Sequence, residues 1–247
     1  GDILPHAMKG SEKYNDFLDD YFIPGFSKLK AHLGDRYPDI FLILGNDDPA
    51  IEEQKIIEAE ENGLLTYINE KKAVLGEYSV FGYCFVPPTP FQLKDWEKYD
   101  VSRYVDPGCM HPDEGIRSVE QPKNIIYETI QKDLEKLTTE EDLSKAVFLF
   151  HSPPYDTHLD RAALDGQMID HVPLDVHVGS IAIKRFIEER QPLLTLHGHI
   201  HESARLTGNW KQQIGKTVAV NAAHDGGHLS AVILDLENPG DARRLLI

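Results

Sequence analysis

The 247-residue sequence has the composition of an ordinary globular protein, with 41% apolar and 27% charged residues. This length suits one large α/β domain, and we expect residues 1–247 to form a single domain. We find no apolar run of about 18 residues and no basic stretch followed by an apolar core, so we expect a cytoplasmic protein without a membrane span or signal peptide. Two cysteines, Cys84 and Cys109, are too few for a disulfide framework.

The formal net charge of −16 argues against a broad nucleic-acid-binding surface, because phosphate backbones are held mainly by Lys and Arg. The charge does not exclude a nucleotide as a small substrate. A polyanionic ligand would need local positive charge on such a protein, and a bound metal ion is one source of it.

The first predicted elements alternate between helix and strand. Residues 11–33 carry an apolar stripe at helical spacing, with an interruption at Pro24. The apolar run 39–44 predicts a buried strand that leads into the polar turn Gly-Asn-Asp-Asp. Residues 49–63 then predict a helix that ends at Gly63.

The rest of the chain continues this alternation around one long interruption. Residues 87–122 are rich in Pro and show no clear periodicity, which indicates a long insertion. Trp96 and Tyr99 in this insertion either pack it onto the core or line a substrate cleft. The other predicted elements are strands at 78–86, 146–150, 193–196, 217–221 and 229–236 and helices at 123–137 and 179–191.

Polar side chains follow directly after three predicted buried strands, where sites are built in α/β proteins. They are Asn46, Asp47 and Asp48 after the first strand, His151 after the second, and His199 with His201 after the third. Taken singly, each group has a simpler interpretation as a turn or a hydrogen-bonded loop residue. Together with Asp2 they supply imidazole, carboxylate and amide ligands, which suit divalent Mn, Fe, Zn or Ni.

This ordered set of motifs resembles the calcineurin-like metallophosphoesterases. The family pattern runs D-x-H, G-D, G-N-H-[DE], a lone H and G-H-x-H, each at a strand end. This sequence has Gly1-Asp2, Gly45-Asn46-Asp47-Asp48, His151 and Gly198-His199-Ile200-His201, so the resemblance covers nearly its whole length. The phrases "PPTPFQLKDWE", "HSPPYDTHLD" and "HVGSIAIKRFIEERQPLLTLHGHIHES" are similar to a prokaryotic branch. The resemblance implies a four-layer α/β fold in which helices flank a two-sheet β-sandwich.

The resemblance also implies a site for two divalent metal ions. Asp2 would bridge the ions, Asn46, His151 and His199 would complete the second one, and His201 would hold the first. In such sites the ions lie about 3.5–4 Å apart, activate a bridging water and clamp the phosphate. The implied reaction is hydrolysis of a small phosphoester, either a phosphodiester or a phosphomonoester.

Two departures from the family pattern bear on these expectations. The sequence begins at the G-D motif, so we expect upstream residues that carry the D-x-H motif and the N-terminal strand or strands of the fold. Asp47 stands where the family commonly has a His that contacts the phosphate and can protonate the leaving group. A carboxylate beside divalent cations stays ionised, so Asp47 is not expected to donate a proton. The candidate catalytic residues are Asp47, Asp48 and His224.

Three further residues are candidates for substrate binding. Arg161 lies shortly after the His151 turn, and its guanidinium suits bidentate phosphate binding, although a surface ion pair is the competing interpretation. His177 and His228, like His224, follow segments that would face the site, and solvated loop histidines are the alternative.

Three functions stay open from the sequence: a dimetal phosphodiesterase or phosphatase, a nuclease, and a catalytically inactive family member that acts as a protein-binding scaffold. The acidic charge balance argues against the nuclease. The presence of Asn46, His151, His199 and His201 argues against the scaffold, because a binding surface would not require these four residues.

Overall fold

The computed structural model describes residues 1–5 and 17–247, so the predicted start of the first helix, residues 11–16, lies outside the described part. In chain order the elements are α1 Ile23–Leu33, β1 Phe41–Leu42, α2 Glu53–Glu61, β2 Thr66–Tyr67, β3 Lys71–Leu75, β4 Tyr78–Tyr83, α3 Ile130–Leu137, β5 Ala146–Phe150, β6 Met168–Ile169, β7 Val172–Pro173, α4 Ile181–Arg190, β8 Leu194–His197, α5 Ser203–Thr207, β9 Lys211–Ile214, β10 Thr217–Asn221, β11 Ser230–Ile233 and β12 Arg243–Leu246. The α/β class expected from the sequence is confirmed.

The segment before β1 is helical, as predicted, and Pro24 marks a change of winding within it. A π-helical stretch, Leu18–Phe22, leads directly into α1. Pro24 lies in the first turn of α1 and has no N–H to donate, so it is tolerated there without ending the helix. In the described ranges, no helix has both the length and the apolar character needed to cross a membrane.

A six-stranded mixed sheet forms the centre of the fold, with the strand order β3-β4-β5-β8-β10-β9. The middle strands β4, β5, β8 and β10 are parallel, and β3 and β9 pair antiparallel at the two edges. Parallel strands bring their carboxyl ends to one edge of a sheet. The residues that follow β5, β8 and β10 therefore meet at that edge.

Strand β5 is apolar throughout because both faces of the sheet are covered around it. On one face Phe148 stacks on Phe81 at a centroid distance of 4.7 Å and meets Phe186 of α4 edge-on at 5.0 Å. Val147 points to the other face. It belongs to a cluster that includes Leu194, Val218, Val220, Val232, Leu234 and Leu236.

The remaining strands form three two-stranded sheets, β1–β2, β6–β7 and β11–β12. The predicted strand 39–44 has ladder pairing only at Phe41–Leu42, and the predicted strand 229–236 only at Ser230–Ile233. The observed core is thus a six-stranded sheet flanked by helices. The two-sheet sandwich and the single domain stay predictions.

The segment 87–122, all of which the structure describes, contains isolated β-bridges but no helix or strand. Hydrogen bonds and buried side chains fix its path. Lys94 and Glu97 form an ion pair at 2.6 Å with both side chains fully buried. Trp96 and Tyr99 are 4% and 0% exposed, and Trp96 packs edge-on against Phe85. Trp96 therefore packs the segment onto the core, whereas Tyr99 is buried within the segment, where its hydroxyl contacts His111 and Asp113.

Candidate metal centre

The candidate ligands come from three strand ends and from the segment at Asp2. Asn46 lies in the turn after β1, His151 directly follows β5, and His199 lies two residues after β8. A backbone hydrogen bond joins two of these ends, because the His151 carbonyl accepts from the Gly198 N–H at 3.1 Å. The N–H of His151 also donates to the carbonyl of Tyr83, the last residue of β4, at 3.1 Å.

Four of these side chains converge on one point. Nε2 of His151 lies 3.0 Å from Oδ2 of Asp2 and 2.9 Å from Oδ1 of Asn46. The rings of His151 and His199 have centroids 5.0 Å apart. The ligand atoms of Asp2, His151 and His199 all lie within 4.8 Å of one another.

This arrangement fits a divalent cation. Two acceptor oxygens, from Asp2 and Asn46, face the same imidazole nitrogen, so a proton or a metal ion must lie among them. The other ring nitrogen of His151, Nδ1, is buried without a hydrogen-bond partner among the described residues. Carboxylate, amide oxygen and imidazole are a donor set for Mn, Fe, Zn or Ni. The residues that the structure brings together therefore suit a metal ion.

Backbone conformation at this point is specialised. Asp2 and His199 are non-glycine residues with left-handed φ values of 55° and 67°. At position 45 a β-carbon would lie 2.2 Å from Oδ1 of Asp2 and 2.7 Å from Cε1 of His151, so only glycine leaves room for the two ligands. Strained residues of this kind cluster at functional sites.

The surroundings of Asp2, His151 and His199 favour the protonation states in which these side chains can bind a metal ion. Burial disfavours the charged form of Asp2, but the hydrogen bond and charge of His151 outweigh it and hold the pKa of Asp2 well below its usual range. Burial lowers the pKa of His151, and burial together with the charge of His151 lowers the pKa of His199 to about 3. At neutral pH the carboxylate is therefore ionised and the imidazoles are neutral, as metal binding requires.

The two aspartates after Asn46 have different surroundings. The N–H of Asp47 donates to Oδ1 of Asp2 at 2.9 Å, and Oδ1 of Asp47 accepts from the Asn46 amide at 3.2 Å. The carboxylate of Asp48 is buried and accepts from the N–H groups of Gly45 at 2.8 Å, Leu4 at 2.8 Å and Ile3 at 3.2 Å. Burial raises the pKa of Asp48. Asp48 thus ties the segment at Asp2 to the turn that carries Asn46.

His201 is exposed and lies beside the group rather than within it. A cleft of about 540 Å³ opens there, and its lining includes apolar Ile43, Leu149 and Leu196 as well as Asp2, Asp47, His151, His199 and His201. The last two histidines of "HGHIH" therefore border the same cleft, and His199 is half-buried whereas His201 is exposed.

The other four predicted site residues lie in the loops that follow β5, β7 and β10. The Arg161 guanidinium donates to the Ala162 carbonyl and to Asp165, both at 2.5 Å. Nδ1 of His177 lies 2.8 Å from Oδ1 of the buried Asp160. His224 and His228 lie in the loop after β10, with His228 exposed. None of these four belongs to the group formed by Asp2, His151 and His199.

Sequence reasoning missed His197, the first histidine of "HGHIH" and the last residue of β8. Nδ1 of His197 lies 2.9 Å from the Ser152 carbonyl oxygen, and Nε2 lies 2.8 Å from Oγ1 of Thr195. Its ring stacks on Phe150 at 5.6 Å. Burial lowers the pKa of His197 to about 4, so the ring is neutral and both nitrogens are satisfied. Its position in a buried strand beside two predicted ligands was the available signal.

Neither a protein-family model nor a curated protein sequence matches the chain. Several solved structures are similar to it. One crystal structure has a TM-score of 0.53 and 18% identity, over 92% of this chain and 72% of its own. The crystal structure of TT1561 of Thermus thermophilus has a TM-score of 0.50 and 17% identity, over 91% of this chain and 79% of its own.

A third similar structure is the Thermus thermophilus sulfate thiohydrolase SoxB in complex with glycerol, with a TM-score of 0.32 and 18% identity over 78% of this chain and 30% of its own. That TM-score is too low to support an argument about fold. At these identities the first two likenesses concern the fold alone, and they indicate an architecture shared over most of the chain.

Proposed function

We propose that this chain is a metal-dependent phosphoesterase of the calcineurin-like metallophosphoesterase family that hydrolyses a small phosphodiester or phosphomonoester. The observation that supports this most is the convergence of Asp2, Asn46 and His151 within hydrogen-bonding distance, with His199 beside them. These are the residues that match the family motifs in order.

In this proposal two divalent ions bind at the site. Asp2, Asn46, His151 and His199 would hold one ion, and Asp2 with His201 would hold the other. Mn, Fe, Zn and Ni all suit these ligands. The bound ions would supply Lewis-acid activation of water and neutralise phosphate charge, which matters on a chain with a net charge of −16.

The chain's own residues would divide the remaining tasks. The N–H of Asp47 holds Oδ1 of Asp2, so this residue orients the bridging carboxylate. Its side chain stays ionised beside the ions and does not protonate the leaving group. Asp48 fixes the two ligand segments to each other through its buried carboxylate. The substrate is then cleaved best when its leaving group needs no proton.

A direct test combines metal analysis with hydrolysis assays. The purified protein is analysed for metal and assayed with bis(p-nitrophenyl) phosphate, p-nitrophenyl phosphate and single-stranded DNA. Hydrolysis of a small ester that a chelator abolishes and Mn²⁺ restores would support the proposal. Bound metal without hydrolysis of any ester would favour a scaffold, and preferential cleavage of DNA would favour a nuclease.

A further inference from the structure

Two neighbouring residues of the 87–122 segment hold the turn that carries Asn46. The indole N–H of Trp96 donates to the carbonyl oxygen of Asp48 at 2.7 Å. The carboxylate of Asp95 accepts from the N–H of Ala50 at 2.8 Å. Asp95 and Trp96 are each 4% exposed, so both bonds are shielded from water. The short stretch 48–50 is therefore bound at Asp48 by Trp96 and at Ala50 by Asp95, both more than forty positions away in the sequence.

The Asp95 carboxylate is itself fixed by Ser118. Ser118 donates its N–H to Oδ1 of Asp95 at 3.0 Å and its hydroxyl to Oδ2 at 2.5 Å. The hydroxyl oxygen of Ser118 also accepts from the N–H of Ile51 at 2.9 Å. Asp95 and Ser118 thus accept the hydrogen bonds of the Ala50 and Ile51 N–H groups, which lie at the start of the helical segment that contains α2. These bonds fix the position of the start of that segment.

Asp48 passes this restraint on to the metal centre. Its carboxylate accepts from Gly45, directly before Asn46, and from Ile3 and Leu4, directly after Asp2. Trp96 holds the carbonyl of the same residue. The positions of the Asp2 carboxylate and the Asn46 amide, which face His151, therefore depend on where the 87–122 segment places Asp48.

We propose that Trp96, supported by Asp95, is a positioning residue for the metal centre, acting through the hydrogen bond from its indole N–H to the Asp48 carbonyl. This inference rests on the metal centre of the proposed function. Groups that hydrogen-bond directly to metal ligands orient them, and their loss typically weakens metal affinity by about 10–100-fold. Trp96 acts one residue further out, through Asp48, so we expect an effect at the lower end of that range.

The substitution Trp96→Phe isolates the hydrogen bond, because a phenyl ring keeps much of the packing against Phe85, which lies at a centroid distance of 5.5 Å. The sequence contains two tryptophans, so Trp210→Phe is a matched control. Trp210 packs in the cluster around Val147, on the opposite side of the sheet from Phe148, and is not among the residues that line the metal-site cleft.

Two measurements on the full chain test the role of Trp96. Calorimetric titration with Mn²⁺ should give a dissociation constant about tenfold weaker in Trp96→Phe than in the wild type and in Trp210→Phe. In metal-free protein, amide exchange of residues 45–48 should be about fivefold faster in Trp96→Phe alone, the factor expected for the net loss of one neutral hydrogen bond. Unchanged affinity or unchanged exchange in Trp96→Phe would overturn the inference.

A fluorescence titration keeps the inference testable if Trp96→Phe does not fold. In the Trp210→Phe protein Trp96 is the one remaining tryptophan, and its emission should change on Mn²⁺ titration with the calorimetric dissociation constant. Constant emission while Mn²⁺ binds would overturn the inference. If the wild type binds no divalent metal, the proposed function fails, whereas the exchange of residues 45–48 still decides whether Trp96 positions the turn.

Discussion

The Nδ1 atom of His197 lies 2.9 Å from the carbonyl oxygen of Ser152, and this hydrogen bond joins the strand ends that supply His199 and His151. A carbonyl oxygen can only accept, so Nδ1 carries the proton and Nε2 accepts from the Thr195 hydroxyl at 2.8 Å. The tautomer of His197 is thereby fixed. The ring thus adds a side-chain hydrogen bond to the backbone bond from Gly198 to His151, which joins the same two strand ends.

We expect His197→Phe to weaken Mn²⁺ binding by about tenfold, because phenylalanine keeps the stacking on Phe150 but cannot donate to Ser152. His197→Asn is the matched control, since the asparagine amide nitrogen occupies nearly the place of Nδ1 and retains the donor. Titration calorimetry of the three proteins gives the comparison. Equal dissociation constants for the Phe and Asn variants would show that the hydrogen bond to Ser152 does not position the ligands.

Replacing a proposed ligand should have a larger effect than replacing a positioning residue. His199→Ala should lower metal content and phosphoester hydrolysis together, with affinity reduced by at least ~100-fold, the upper range for an outer-shell partner. His32→Ala, at an exposed position in the last turn of α1, is the control and should retain wild-type metal content. An unchanged metal stoichiometry in His199→Ala would remove His199 from the ligand set.

The carboxylate at position 47 predicts a steep dependence of the rate on the leaving group. If Asp47 stays ionised and donates no proton, nitrophenyl esters should be hydrolysed far faster than alkyl phosphates, because a good leaving group needs little protonation. Single-turnover rates for a series of aryl and alkyl esters measure the slope. A flat dependence would indicate another acid, and His224→Ala and His228→Ala would then show which histidine supplies it.

The strand-end histidines could be anticipated because the parallel strands β5 and β8 end at the same edge of the sheet. That rule needs only the order of apolar runs and the polar residues after them, and the structure accordingly brings His151 and His199 together. The same rule does not identify His197, because His197 lies within the buried strand rather than after it. Its two ring nitrogens are hydrogen-bonded to Ser152 and Thr195.

The contacts that hold the Asn46 turn were beyond sequence reasoning for a different reason. Trp96 and Asp48 are 48 residues apart, and no periodicity relates them. The segment around Trp96 lacks helix or ladder pairing, so its path depends on buried hydrogen bonds such as those within the Lys94–Glu97 pair. Aromatic content predicts that such a residue is buried, but the carbonyl that its N–H meets is set by the tertiary fold.

Cys109 offers a chemical test of how the 87–122 segment packs. Burial, with the negative charges of Asp106 and Glu97, raises the pKa of the Cys109 thiol to about 11. The thiolate is the form that reacts with iodoacetamide, so a raised pKa lowers the reactive fraction at every pH below it.

Between pH 7.5 and 9.5 the alkylation rate of Cys109 should therefore rise by about 100-fold, tenfold per pH unit. The rate for an exposed thiol with a pKa near 8.5 begins to level off in that range. Mass spectrometry of the labelled peptide measures the rate. Cys109→Ser is the control, because Cys84 is fully buried and burial also raises the pKa of its thiol, so this variant should remain unlabelled. A Cys109 rate that levels off below pH 9 would mean that the segment is open to solvent around this residue and packs less tightly than the buried Lys94–Glu97 pair implies.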